Sequence, residues 1–213
     1  MGSVMAPLLM EAGYNLIVWN RSSDKVDHLV SLGAKAAPSP AALASSVDVV
    51  VSMLTDDAAI CTVFEGPDGL LSVPVEEKLF IDMSTLRPPT VKHIAQQVRN
   101  KGASFVDAPV SGGQAGAQNG ALTIMCGSDD ESVFQRAKAA MAPYTRACER
   151  LGGAGEGQLT KMVNQICIEG LVQGLSEGVA FGQKAGLNME QVLDVIGKGA
   201  AQSWQMDNRG KTM

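Results

Sequence analysis

The chain has 213 residues, 46% of them hydrophobic, enough for a real core in one large domain or in one domain plus part of another. A formal net charge of -5 and a pI near 5.0, without a dense Lys/Arg cluster, argue against nucleic acid or an anionic membrane as the main partner. No apolar run is long enough to span a membrane, and a small-molecule role is favoured. Cys61, Cys126, Cys148 and Cys167 show neither C-x-x-C spacing nor a disulfide-dense pattern, and His28 and His93 make no metal constellation. Reduced thiols in a cytoplasmic setting are expected, with an organellar address as the alternative.

The opening MGSVMAPLLMEAG reads as a helix stopped by Gly13, where an α/β protein would normally begin with a strand. YNLIVWN (14–20) is a β-branched and aromatic strand, and SSDKVDHLVSLG is a helix with Ser22 or Ser23 as N-cap and Gly33 as stop. A short strand near 34–37, a helix from Pro40, the strand DVVVSML (48–54) and a helix from Asp56 follow. LFIDMS (79–84), a helix from Pro88 to Lys101 and SFVDAPVS (104–111) repeat the unit, and ALTIMCGS with a helix from Asp129 closes it. Strands apolar on both faces, alternating with helices, predict an α/β, doubly wound parallel sheet over residues 1–154.

From Gly155 the pattern becomes continuous helix to Gly186, about 45 Å at about 1.5 Å per residue, opening an all-helical domain over 155–213. Gly170, Gly174, Gly178, Gly182 and Gly186 form a bare stripe along it, expected to receive another helix; a frayed or kinked helix is the alternative. The segment GEGQLTKMVNQICIEG (155–170) reads as a largely buried helix, yet holds Lys161, with Asn164 and Gln165 one turn further on the same side.

Ligands of a doubly wound sheet bind beyond the carboxyl ends of its strands. Asn20, Arg21 and Ser22 follow the second segment's strand, with Lys25 four residues after Arg21. Where an NAD-binding fold usually places a carboxylate, an arginine suits a 2′-phosphate and points to NADP, NAD being the alternative; a solvated loop arginine is the plain reading. Met53, Leu54 and Thr55 follow the next strand, and Ser84 and Thr85 the one after; turn chemistry, with Asp56 and Thr85 as caps, accounts for these equally well. In DAPVSGGQAGAQNG, Ser111, Gly112 and Gly113 offer a hydroxyl and backbone N–H groups to a carboxylate, or form a flexible loop. Lys161, if held among apolar side chains near a nicotinamide, can donate a proton to a carbonyl oxygen, its pKa lowered by desolvation, with Asn164 or Gln165 bonding the same oxygen or a neighbouring hydroxyl. Most helix lysines are instead solvated.

MGSVMA, VWNRS, SMLTD, DMST, DAPVSGG and the G-x-x-x-K segment Gly157–Lys161 together resemble the β-hydroxyacid dehydrogenase family through essentially the whole chain. The resemblance implies a Rossmann-type domain followed by the start of an all-α domain. It implies a hydride transfer between NADP(H) and a small β-hydroxyacid or semialdehyde, with Lys161 as general acid/base. It further implies carboxylate binding at Ser111, Gly112 and Gly113, cofactor contacts at Met53, Leu54, Thr55 and Thr85, and the family's usual amide position at Gln165, preceded by Asn164. Met1 and Gly2 match the last two positions of the family's G-x-G-x-x-G fingerprint. The first strand and further C-terminal helices are therefore expected to lie outside this chain, and a truncated, non-catalytic nucleotide-binding or oligomerisation module is the competing reading. A homodimer or homotetramer is expected.

Overall fold

The computed structural model describes residues 1–213, and the chain divides into two compact units, Met1–Lys161 and Met162–Met213. The first unit alternates helix and strand: α1 (Gly2–Glu11), β1 (Ile17–Val18), α2 (Ser23–Ser31), β2 (Lys35–Ala36), α3 (Pro40–Ser46), β3 (Val49–Ser52), α4 (Asp57–Glu65), β4 (Leu79–Asp82), α5 (Pro88–Asn100), β5 (Ser104–Asp107), β6 (Val110–Ser111), α6 (Gly113–Gln118), β7 (Leu122–Cys126), α7 (Glu131–Met141) and β8 (Thr145–Arg150). Helix α8 (Glu156–Lys184) begins in this unit and continues into the second.

The strands form three ladders. β1 and β2 pair in parallel, β3, β4 and β5 form a parallel sheet in that order, and β7 pairs in parallel with β8 and antiparallel with β6. β4 is enclosed on both faces: Leu79 and Ile81 enter a core with Val106, Leu122, Ile124 and Phe134, while Phe80 enters another with Val50, Phe105, Ile60, Phe64 and Ile94. Alternate side chains of a strand point to opposite faces, so this division places packed layers on each side of the sheet, the signature of a doubly wound α/β domain.

Local chemistry explains most boundaries. Asp56 caps α4 by accepting from Ala59 N at 2.8 Å, and Asp130 caps α7 through Ser132 N and Val133 N. Ser22 stands at the N-cap of α2 without a side-chain capping bond. Thr85 caps nothing: α5 starts at Pro88, whose missing N–H needs no cap, and the preceding turn is held by Asp57, which accepts from Arg87 N and Nε.

Several sequence expectations need correction. Only Ile17–Val18 of the 14–20 run forms ladder bonds. β3 is apolar on both faces in sequence but covered on one only, because Val49 and Val51, on the same face, are each left 38% exposed while Val50 on the other is buried. β8 follows the helix that was expected to close the domain; in its sequence TRACER only Ala147 and Cys148 are apolar, between charged residues suited to a sheet edge, so it lacks the apolar run of the inner strands.

In the second unit α8 is followed by α9 (Met189–Ile196) and α10 (Trp204–Arg209). The glycine stripe is filled at Gly182 only. A Cβ on Gly182 would meet Met189 Cε at 2.9 Å, whereas Gly170, Gly174 and Gly178 have open space beside them and line an apolar groove of about 310 Å³ with Leu175, Val179 and Leu193. The expectation of a largely buried helix over 155–170 fails. Leu159, in the first unit, is 47% exposed, and Val163 and Ile166, in the second, are 61% and 69% exposed. Apolar residues surround α8, but the helices of its own unit cover only the side carrying Leu175 and Val179. No helix is long and apolar enough to cross a membrane.

Candidate functional site

Parallel register aligns three strand ends: Ser52 opposite Asp82, and Asp82 opposite Asp107. Ser52 and Ser84 both donate through Oγ to Asp82 Oδ1 at 2.7 Å, and Ser84 Oγ accepts from Leu54 N at 2.8 Å. Asp82 Oδ2 is buried without a partner. Burial pushes the Asp82 carboxyl up to about 6 against the two serine hydrogen bonds.

Asp107 reaches across to the start of α8. Its Oδ1 accepts from Gly155 N at 2.8 Å and its Oδ2 from Gln158 N at 3.1 Å, so one buried carboxylate satisfies two N–H groups of the helix terminus. Burial raises its pKa to about 6; the two N–H bonds oppose the rise and the Asp82 charge adds to it. Gln158, 1% exposed, locks the same turn to the end of β4, donating from Nε2 to Ser84 O at 2.9 Å and accepting at Oε1 from Leu86 N at 3.0 Å. Gly157 makes the approach feasible, because a Cβ there would lie 2.5 Å from Met125 O and 2.7 Å from Asp107 Oδ2.

One turn beyond Gln158, Lys161 is only 9% exposed, and desolvation lowers its pKa. Lys161 is thus buried as a residue, while the apolar neighbours along the helix expected to shelter it are exposed. The carboxylates of Asp82 and Asp107 and the amide of Gln158 were not singled out from sequence. The available signal was an aspartate at the same place in FIDMS and FVDAPVS, the ends of neighbouring strands.

The other candidates divide into three groups. Met1 stands at the N-cap of α1 with no side-chain cap and no acidic residue in the first turn, and a Cβ on Gly2 would lie 4.0 Å from Met53 Cβ. Met5 lies in the core against which Val4, Met53 and Val110 also pack. Leu54 is tied in through Ser84, while Thr55 and Thr85 are exposed. Ser111 is half-buried and pairs with Thr123, and Gly112 and Gly113 follow with φ of 129° and 61°, opening the backbone where α6 begins.

Asn20, Arg21, Ser22 and Lys25 are exposed after β1, whose ladder to β2 is separate from the β3–β5 sheet; Asn20 Nδ2 donates to Ser22 O at 3.1 Å. Asn164 and Gln165 belong to the second unit, half-buried and exposed respectively, with Asn164 Nδ2 donating to Gln165 Oε1 at 3.0 Å. No cluster of His, Cys, Asp and Glu could hold a metal ion.

Residues 1–153 match the family described as the NAD binding domain of 6-phosphogluconate dehydrogenase, and 155–213 match the NAD-binding family of NADP-dependent 3-hydroxyisobutyrate dehydrogenase. An oxidoreductase of Shewanella frigidimarina is 44% identical over the whole chain, which covers 73% of that protein. The 2-hydroxy-3-oxopropionate reductase of Escherichia coli is 34% identical, again over the whole chain and 72% of its own length. The 3-hydroxyisobutyrate dehydrogenase of Mycobacterium tuberculosis, solved with L-serine, superposes with a TM-score of 0.90 at 26% identity over 99% of this chain and 71% of that one. With its two-face-covered parallel sheet, its long following helix and matches along its whole length, the chain belongs to the β-hydroxyacid dehydrogenase family.

Proposed function

We propose that the chain carries the machinery of an NADP(H)-dependent reductase of a small semialdehyde, or of the reverse oxidation of a β-hydroxyacid, with Lys161 as general acid/base. The observation that carries this reading is a nearly enclosed lysine, its pKa lowered by desolvation, on a helix turn fastened to the ends of β4 and β5. A proton donor works best when its pKa approaches the working pH, and desolvation moves an ammonium in that direction.

The residues present fit a nicotinamide dinucleotide. The uncapped start of α1, free of acidic side chains, suits a phosphate, Gly2 keeps the backbone there bare, and Met53 adjoins it, with Leu54 next in the chain. Arg21 and Lys25, exposed beyond β1, supply cations suited to a 2′-phosphate, which is the basis for proposing NADP over NAD. When bound, the cofactor supplies or accepts the hydride. Lys161 Nζ gives its proton to the carbonyl oxygen during reduction and takes it back from the hydroxyl during oxidation. Ser111 Oγ and the N–H groups of Gly112 and Gly113 hold the substrate carboxylate, and Asn164 or Gln165 orients the neighbouring oxygen. A homodimer or homotetramer is part of the same proposal, supported by the exposed Val163, Ile166, Phe181, Val195 and Trp204 of the second unit.

The test is Lys161→Ala, assayed with glyoxylate and NADPH beside NADPH binding by fluorescence. The expected result is a fall in kcat of about 10²- to 10⁴-fold with the NADPH Kd unchanged. A kcat within a few-fold of the parent removes Lys161 from the chemistry, and absence of NADPH binding to the parent chain favours the non-catalytic module.

A further inference from the structure

We propose that Asp107 is the positioning residue for Lys161, its carboxylate holding the first turn of α8 so that the ammonium meets the substrate oxygen in one geometry. The proposal rests on the catalytic reading of Lys161 and assigns a role to a residue outside the substrate and cofactor contacts.

Both oxygens of Asp107 are committed to α8, one to Gly155 N and one to Gln158 N, and the residue joins the end of β5 to a helix that starts almost fifty positions later in the chain. An ordinary N-cap comes from the residue next to the helix and fixes only local geometry. A cap delivered by a buried strand instead fixes the helix against the sheet. Gln158 adds two bonds to the loop after β4, and the bare Cα of Gly157 lets the turn lie against Met125 O. Lys161 stands three residues after Gln158, on the same side of the helix, so a tilt or slide of the first turn displaces its amine directly. A displacement of about 1 Å at a reacting group costs about 10²-fold in rate.

The decisive variant is Asp107→Asn, which keeps the shape and one acceptor but replaces the other by an N–H facing an N–H. Two readouts separate positioning from mere stability: glyoxylate and NADPH kinetics, and the acid constant of Lys161, obtained by competitive acetic anhydride labelling across pH with mass spectrometry. The expected result is a kcat lowered by about tenfold to a hundredfold, an NADPH Kd within about twofold of the parent, and a Lys161 titration displaced to higher pH as the loosened turn lets water reach the amine. A kcat within twofold, or an unmoved Lys161 titration, overturns the proposal. Should Asp107→Asn fold poorly, the same comparison is made in an Asp82→Asn background, which removes a neighbouring buried charge. The two readings fail separately: an active Lys161→Ala sinks the catalytic role, while a displaced Lys161 titration in Asp107→Asn still reports the clamp.

Discussion

Asp82→Asn is expected to gain stability relative to the parent as pH rises through the range between the unfolded and folded pKa values of the buried carboxyl. Asp82 is wholly buried, its Oδ1 accepts from Ser52 and Ser84, and its Oδ2 has no partner. Its pKa rises from 3.8 to about 6 in the fold. A carboxyl with a raised folded pKa favours the folded state while protonated, and that advantage is lost as pH climbs from the unfolded value through the folded one. At about 1.36 kcal/mol per unit, the rise corresponds to about 3 kcal/mol of destabilisation, fully developed by about pH 7. Asparagine keeps the acceptor for both serines and carries no charge. The variant's stability relative to the parent is therefore expected to rise by about 2 kcal/mol between pH 4.5 and pH 7.5, while the unpartnered amide N–H at the Oδ2 position subtracts equally at both. Loss of the charge also relieves Asp107, which acts in the same direction. Urea unfolding at the two pH values, followed by Trp19 fluorescence in a Trp204→Phe background, measures the first unit alone. An equal change in stability at both pH values would refute the buried-charge argument.

Arg21→Ala is expected to weaken NADPH binding by about tenfold or more while leaving NADH nearly unaffected, since a charge-assisted bond to a phosphate is worth about 1.5–3 kcal/mol; equal weakening of both in fluorescence titrations removes the preference for NADP. Gly157→Ala should cost about 1–3 kcal/mol in urea unfolding and lower kcat, because the added methyl meets backbone at Met125 O and the Asp107 carboxylate rather than a movable side chain; an unchanged midpoint would mean the turn is not closely seated.

What the sequence determined by itself was local, and even there it overran β1 and missed β8. Hydrophobic runs such as LFID and FVD marked the inner strands, Asp56 marked a helix start, and the stretch after Gly155 declared a long helix, because capping, periodicity and chain stiffness act between residues a few positions apart. The motifs placed the candidate residues at strand ends for the same reason. Tertiary structure decided the rest. The pairing of Ser52, Asp82 and Asp107 comes from sheet register, and the reach of Asp107 to Gly155 and Gln158 spans a separation at which no periodicity survives. Burial likewise could not be read from composition, since Ile166 is exposed and Lys161 is not. Whether a side chain meets water depends on what other segments lay against it, and that is a property of packing, not of neighbours in the chain.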